Sequence, residues 1–177
     1  KLPMWKFRSQ LTFQISKAMA GYELSDIINY YILDTDVYLE TRKMNLQRPL
    51  VWTLDQKREL IYSVLKGIYI PPITAVNHSM DDTRNNRVLK IIDGKQRLTS
   101  LLSFYKGEFS ILFEEKEYFF NDLADQAKRE INDCLRFDIA YSYHNAPISD
   151  EELITWFHMI NFSGTPQDKA HMDNLMK

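Results

Sequence analysis

Val88-Leu89-Lys90-Ile91-Ile92-Asp93-Gly94-Lys95-Gln96-Arg97-Leu98-Thr99-Ser100-Leu101-Leu102 reads as an apolar strand that breaks at Asp93-Gly94 and restarts at once as a helix. Leu98, Leu101, Leu102 and Tyr105 fall at the i, i+3, i+4, i+7 spacing of a buried helical face, so the residues before them form its first turn. Asp93 is the expected N-cap. The free backbone N–H groups of that turn and the positive end of the helix dipole then point beyond Gly94, which has no side chain to keep a ligand away. Lys95 and Arg97 add two cations there. Strand, glycine turn and basic first turn together describe an anion site, although strand–Asp-Gly–helix junctions also occur where the chain simply reverses direction.

Outward from this centre, the spacing predicts an α/β chain. Residues 1 to 20 alternate apolar and polar side chains as an extended arm or edge strand would. Ser25 or Asp26 would cap a short helix through Tyr31, and Val37 to Glu40 would be a strand. Pro49 holds Arg48 and its neighbours extended. Thr53 and Gln56 form a capping box for a helix with Leu54, Ile61, Val64, Leu65 and Ile68 on its buried face, stopped by Gly67 and Pro71-Pro72. Ile73 to Val76 pairs with the central strand across a polar loop from Asp81 to Asn86. Phe109 to Phe113 and Tyr118 to Phe120 suggest a hairpin around Glu-Glu-Lys-Glu. Asn121 or Asp122 would cap a helix bearing Leu123, Ala127, Ile131 and Leu135, and Phe137 to Tyr143 would be a further strand. Ser149 and Glu152 make a second capping box, for a helix burying Leu153, Phe157 and Ile160. A loop from Asn161 to Pro166 and a terminal helical piece complete the pattern.

At 177 residues, 45% hydrophobic and 13% aromatic, the composition suits a single domain over 1–177, with an arm over 1–21 and the folded body over 22–175. A net charge of −2 gives no bulk attraction for nucleic acid or an anionic membrane. Locally, Arg84, Arg87, Lys90, Lys95 and Arg97 gather against Asp93 alone, whereas Glu108 to Asp133 carries eight acids and three bases. Cys134 is the sole cysteine, which excludes an intrachain disulfide and a cysteine zinc cage and marks Cys134 as core filler. The four histidines have no ligand spacing, so no zinc site is expected; no haem or flavin is expected either. With no run of 18 apolar residues and no signal-peptide pattern, a cytoplasmic protein without membrane contact is expected.

Four ordered segments carry a family resemblance. They are Gln47-Arg48-Pro49-Leu50-Val51-Trp52, Ser63-Val64-Leu65-Lys66-Gly67-Ile68-Tyr69-Ile70-Pro71-Pro72-Ile73, Asp93-Gly94-Lys95-Gln96-Arg97 and Asn161-Phe162-Ser163-Gly164-Thr165-Pro166. In this order the chain, over roughly residues 22 to 175, resembles the GmrSD-type restriction endonuclease N-terminal domain, whose signature turn is DGQQR. The resemblance implies a ParB/sulfiredoxin-like α/β fold, a small mixed sheet with surrounding helices. It also implies a module that binds and hydrolyses or senses nucleoside triphosphates in bacterial or phage DNA restriction and defence.

Carried over residue by residue, the resemblance makes Asp93, Gln96 and Arg97 the catalytic set. Arg48, Gly94, Lys95, Arg97, Asn161, Gly164 and Thr165 would bind phosphate or nucleotide. Mg²⁺ would sit at Asp93, Arg97 and Arg48 would neutralise phosphate charge, and Gln96 would orient the attacking water. Lys95 stands where the family has glutamine, keeping a phosphate-compatible group but losing an amide. The nuclease half that often follows in relatives, with its His-Asn-His site, has no counterpart in this sequence, so DNA cutting would need a different centre or a separate nuclease subunit, or the sequence is a fragment of a longer protein.

The alternatives are a DNA-binding or nicking module that grips backbone phosphate, and a catalytically silent partner or regulator with Trp5, Phe7 and Trp52 on its surface. A purely structural reading has Asp93 only capping the helix, Arg48 paired with an acid and Gln96 facing solvent.

Overall fold

The computed structural model describes residues 13–15, 20–79, 87–142, 148–163 and 169–177. The chain opens with strands β1 (Phe13–Ile15) and β2 (Ala20–Gly21), helix α1 (Leu24–Tyr30), and strands β3 (Ile32–Asp34), β4 (Tyr38–Leu39) and β5 (Met44–Asn45). Helix α2 (Leu54–Leu65) leads to β6 (Ile73–Ser79), β7 (Arg87–Asp93) and helix α3 (Lys95–Tyr105). A hairpin of β8 (Ile111–Phe113) and β9 (Lys116–Tyr118) follows, then a 3-10 turn at Phe120–Asp122, α4 (Asp125–Asn132), β10 (Arg136–Ser142), α5 (Asp150–Ser163) and α6 (Lys169–Met176).

The main sheet is mixed, in the order β1-β10-β6-β7-β3, with β2 also paired to β10. β10 runs parallel to β6, β6 antiparallel to β7, and β7 parallel to β3. The alternation of side chains along each strand splits the sheet's faces cleanly. Ile73, Ala75, Leu89, Ile91, Phe137 and Ile139 meet α1 to α4 through Leu24, Ile27, Ile61, Leu98, Leu101 and Ile131. Val76, Ile92 and Ala140 on the opposite face meet Leu39, Leu46, Leu153, Phe157 and Leu175. The expected α/β class is therefore realised as a mixed sheet covered on both faces. Among the described residues no helix is long and apolar enough to cross a membrane.

Both capping boxes form. Thr53 Oγ1 accepts from Gln56 N while Gln56 Oε1 accepts from Thr53 N, and Ser149 and Glu152 repeat the arrangement. Other expectations shift. Helix α1 begins after Glu23 rather than being capped by Ser25 or Asp26. Helix α2 ends at Leu65, and its buried face is Leu60, Ile61 and Val64. Leu54 and Ile68 are 44% and 55% exposed, because one precedes the first full turn over the core and the other lies beyond the stop. Lys116 and Glu117 belong to β9, so the hairpin turns more tightly than the charge run suggested, on Glu114 and Glu115 at φ 49 and 63. Helix α4 starts after Ala124, while Asp122 accepts from Phe119 N to close the preceding turn. β1 pairs with β10 as the edge-strand reading of the arm required. Trp5, Phe7, the 81–86 loop and Arg84 lie outside the described residues. Trp52 packs half-buried against the first core cluster.

Candidate functional site

The centre of the site is made by an irregularity in β7. Ala75 opposes Ile91, but Thr74 opposes Asp93, so β7 carries one extra residue at its end. The chain then turns through Gly94 at φ 95 and ψ 17 and enters α3. A Cβ at Gly94 would lie 2.5 Å from Ile73 Cδ1 and 3.1 Å from Arg97 Nη2, so both the backbone angle and the available space demand glycine.

Gly94 itself is the N-cap, not Asp93, because the bulge ends the strand one residue later than simple pairing would. It offers no side-chain acceptor, and α3 has no acid in its first turn. The first intrahelical bond is Leu98 N to Gly94 O at 2.9 Å. No described residue accepts from the backbone N–H groups of Lys95, Gln96 or Arg97. Left thus, the helix start is an uncompensated positive pole suited to an anion.

The side chains of that turn are occupied. Lys95 is 7% exposed, and its Nζ donates to Asp36 Oδ1 at 2.6 Å and to Arg48 O at 3.0 Å. Gln96 Oε1 accepts from Val51 N and Trp52 N at 3.3 and 3.4 Å, and its Nε2 donates to Pro49 O at 3.2 Å. It clips the extended segment rather than facing solvent. Arg97 Nη2 donates to Pro72 O at 3.0 Å and meets Asp93 Oδ2 at 3.5 Å, with its buried Nε unpartnered. The whole first turn thus holds neighbouring chain in place around its own open end.

Arg48 arrives from the extended segment, which is pinned on both sides. Leu46 N donates to Val37 O and Gln47 N to Asp36 O, at 2.9 and 3.0 Å. The buried Gln47 Nε2 donates to Ile91 O and Ile92 O at 2.7 and 2.8 Å, feeding the carbonyls that the bulge would otherwise strand. His171 Nε2 lies 2.8 Å from Leu46 O and ties α6 to the same segment. Arg48 is half-buried, and no described residue forms an ion pair or hydrogen bond with its guanidinium.

Asn161 falls in the last turn of α5, where its Nδ2 donates to Phe157 O at 2.7 Å. Gly164 and Thr165 lie outside the described residues. Asp36, Gln47 and His171 are the contributors that spacing alone missed. Gln47 stood inside a recognised segment, whereas Asp36 is tied to Lys95 across 59 residues of sequence. Among the described residues no three His, Cys, Asp or Glu side chains group to hold a metal. Burial pushes the Cys134 thiol up to about 12, which suits packing rather than nucleophilic chemistry.

A family model described as the GmrSD restriction endonuclease, N-terminal domain, matches residues 45–174. That span includes the extended segment, the β7–α3 junction and α5. No curated protein and no solved structure gave a significant match.

Proposed function

The chain belongs to the family of GmrSD restriction endonuclease N-terminal domains, and from that premise we propose that it binds the phosphates of a nucleoside triphosphate at the start of α3. As a member of that family it is a component of a restriction system. The observation that supports the nucleotide reading is the open helix start, with three backbone N–H groups lacking acceptors among the described residues, together with Arg48, whose carbonyl is held by Lys95 and whose guanidinium has no partner among the described residues. Phosphoryl oxygens satisfy N–H donors and guanidinium groups together, and phosphoryl transfer depends mainly on such positioning and charge stabilisation.

In this reading the backbone of Lys95, Gln96 and Arg97 receives the phosphates, Gly94 permits their approach, and Arg48 and Arg97 neutralise them. Asn161, Gly164 and Thr165 are the further nucleotide contacts that the family resemblance assigns. Asp93 fits a Mg²⁺ ligand: it is a third exposed, at 33%, and only its Oδ2 is engaged, by Arg97. Bound there, the ion would add charge neutralisation on phosphate oxygens. Lys95 and Gln96 act by holding Asp36 and residues 48–52. Gln96 would orient water for hydrolysis only by exchanging one of its three backbone bonds, so sensing is the smaller demand on this site and hydrolysis the larger. DNA cleavage would belong to a partner nuclease domain.

Isothermal titration of ATP, GTP and CTP with Mg²⁺ into wild type and Arg48→Ala tests this. Arg48 is the better probe than Arg97, because the latter's guanidinium also supports Pro72. Binding that weakens at least tenfold in Arg48→Ala supports the site, and phosphate release in the same samples separates enzyme from sensor. No binding of any nucleotide, with DNA bound in a steeply salt-dependent manner, would replace this reading with a DNA-backbone contact.

A further inference from the structure

One residue on the sheet is poorly explained by packing. Asp138 is half-buried in β10 beside β6, yet no described residue gives its carboxylate a hydrogen bond or an ion pair. Charged side chains inside a fold are ordinarily paired or bound to a metal. Asp138 is in register with Thr74 of β6, and Thr74 is in register with Asp93 of β7. Thr74 is nine-tenths buried, at 9% exposed, and no described residue pairs with its hydroxyl.

The three share a face. Asp138 is two residues from Ala140 and Thr74 two from Val76, both in the second core cluster, and the bulge sets Ile92 of that cluster and Asp93 jointly against Thr74. The row therefore reads carboxylate, hydroxyl, carboxylate across three strands, ending where the chain turns into α3. We propose that Asp138, Thr74 and Asp93 form a divalent-cation site, with Mg²⁺ as the physiological ion. The proposal extends the phosphate reading by giving the cation a second protein anchor.

The dimensions select the kind of ion. Strands stand about 4.8 Å apart, so the two aspartates are about 10 Å apart at the backbone with Thr74 midway. That is too wide for two carboxylates to clasp a bare ion closely. It suits Mg²⁺, which keeps several waters at about 2.1 Å and is commonly held by one or two carboxylates plus substrate phosphates. Thr74 would accept or donate to a bound water. Lys90, the cation on the same face, sits a row away opposite Val76 and forms no ion pair with a described residue. Arg97 reaches Asp93 Oδ2 only at 3.5 Å, leaving Oδ1 without a described partner.

The test titrates Mn²⁺ alone, followed by the paramagnetic resonance of free ion, into the full chain as wild type, Asp138→Asn and Thr74→Val, with Mg²⁺ as competitor. Wild type is expected to bind Mn²⁺ and release it to Mg²⁺. Asp138→Asn weakens binding at least tenfold and Thr74→Val several-fold. Asp138→Asn is expected to melt no lower than wild type without metal, and Mn²⁺ to raise the melting temperature of wild type alone. Equal Mn²⁺ affinity in wild type and Asp138→Asn, or no binding by wild type, overturns the proposal. Metal binding that depends on Asp138 in a chain that binds no nucleotide leaves the cation site standing and removes the phosphate reading. Nucleotide binding that depends on Arg48, with Mn²⁺ indifferent to Asp138, does the reverse.

Discussion

The contact between Gly94 and Ile73 makes a quantitative prediction. In Gly94→Ala the new methyl must occupy a left-handed backbone at φ 95 and a space 2.5 Å from Ile73 Cδ1, a fully buried atom of the first core cluster. The backbone penalty is about 1–2 kcal/mol, and overpacking a filled interior adds about 1–3 kcal/mol. Loss of glycine's freedom in the unfolded chain returns about 0.4–1 kcal/mol, leaving a net destabilisation of about 2–4 kcal/mol.

Ile73→Val deletes the very carbon involved, at a cost of about 0.5–1.5 kcal/mol. In that background Gly94→Ala should lose the overpacking part and cost only about 1 kcal/mol. The double-mutant cycle is therefore expected to give about 1–3 kcal/mol of favourable coupling. Urea unfolding followed by tryptophan fluorescence, with the m-value unchanged across the four proteins, supplies the numbers. Additivity within about 0.5 kcal/mol would refute the geometric argument, since sites that do not touch add to that precision.

Other perturbations test separate parts of the reasoning. Gln47→Leu strips two buried carbonyls at the bulge of their donor and should lower stability by about 2–3 kcal/mol, read as a drop in denaturation midpoint; a loss under about 0.5 kcal/mol would mean water replaces the amide. Replacing Glu114-Glu115 by Asn-Gly relieves two left-handed glutamates at φ 49 and 63 and should raise the melting temperature; an unchanged or lower value counts against strain in that turn. Burial raises the Cys134 thiol from 9.0 to about 12, so the folded state resists ionisation that the unfolded state undergoes. Its contribution to stability is thus complete below pH 9.0 and declines as pH rises from there toward about 12. Cys134→Ala should flatten that alkaline decline in chemical-denaturation curves. Wild-type Cys134 should also react slowly with alkylating reagents at pH 8 until denaturant is added; rapid labelling of the folded chain would contradict its burial.

Local signals were the legible ones. The Thr53–Gln56 and Ser149–Glu152 boxes are complete within four residues of sequence, and both helices begin where they should. The apolar run before Asp93 correctly marked a strand, and the resemblance located the junction that the family match includes. What escaped was set by partners far along the chain. The bulge that moves the N-cap from Asp93 to Gly94 depends on pairing with Thr74, which no pattern in β7 announces. Lys95 looks like a free phosphate ligand until Asp36 closes on it, and Gln96 like a solvent-facing amide until Pro49, Val51 and Trp52 are laid across it. Polar residues beside a turn are ambiguous in sequence because their roles are decided by the segment that arrives next to them.

The grip of α3's first turn on its surroundings bears on how this protein breathes. Lys95 fastens Asp36 and Arg48, Gln96 fastens residues 49–52, and Arg97 fastens Pro72. Helix ends ordinarily fray first, since few contacts oppose their opening. Here, undoing one turn means releasing three stretches of chain at once, so its amides should exchange with solvent only in a large cooperative opening. An anion captured at that turn would slow hydrogen exchange in all three stretches together, well beyond the residues it touches.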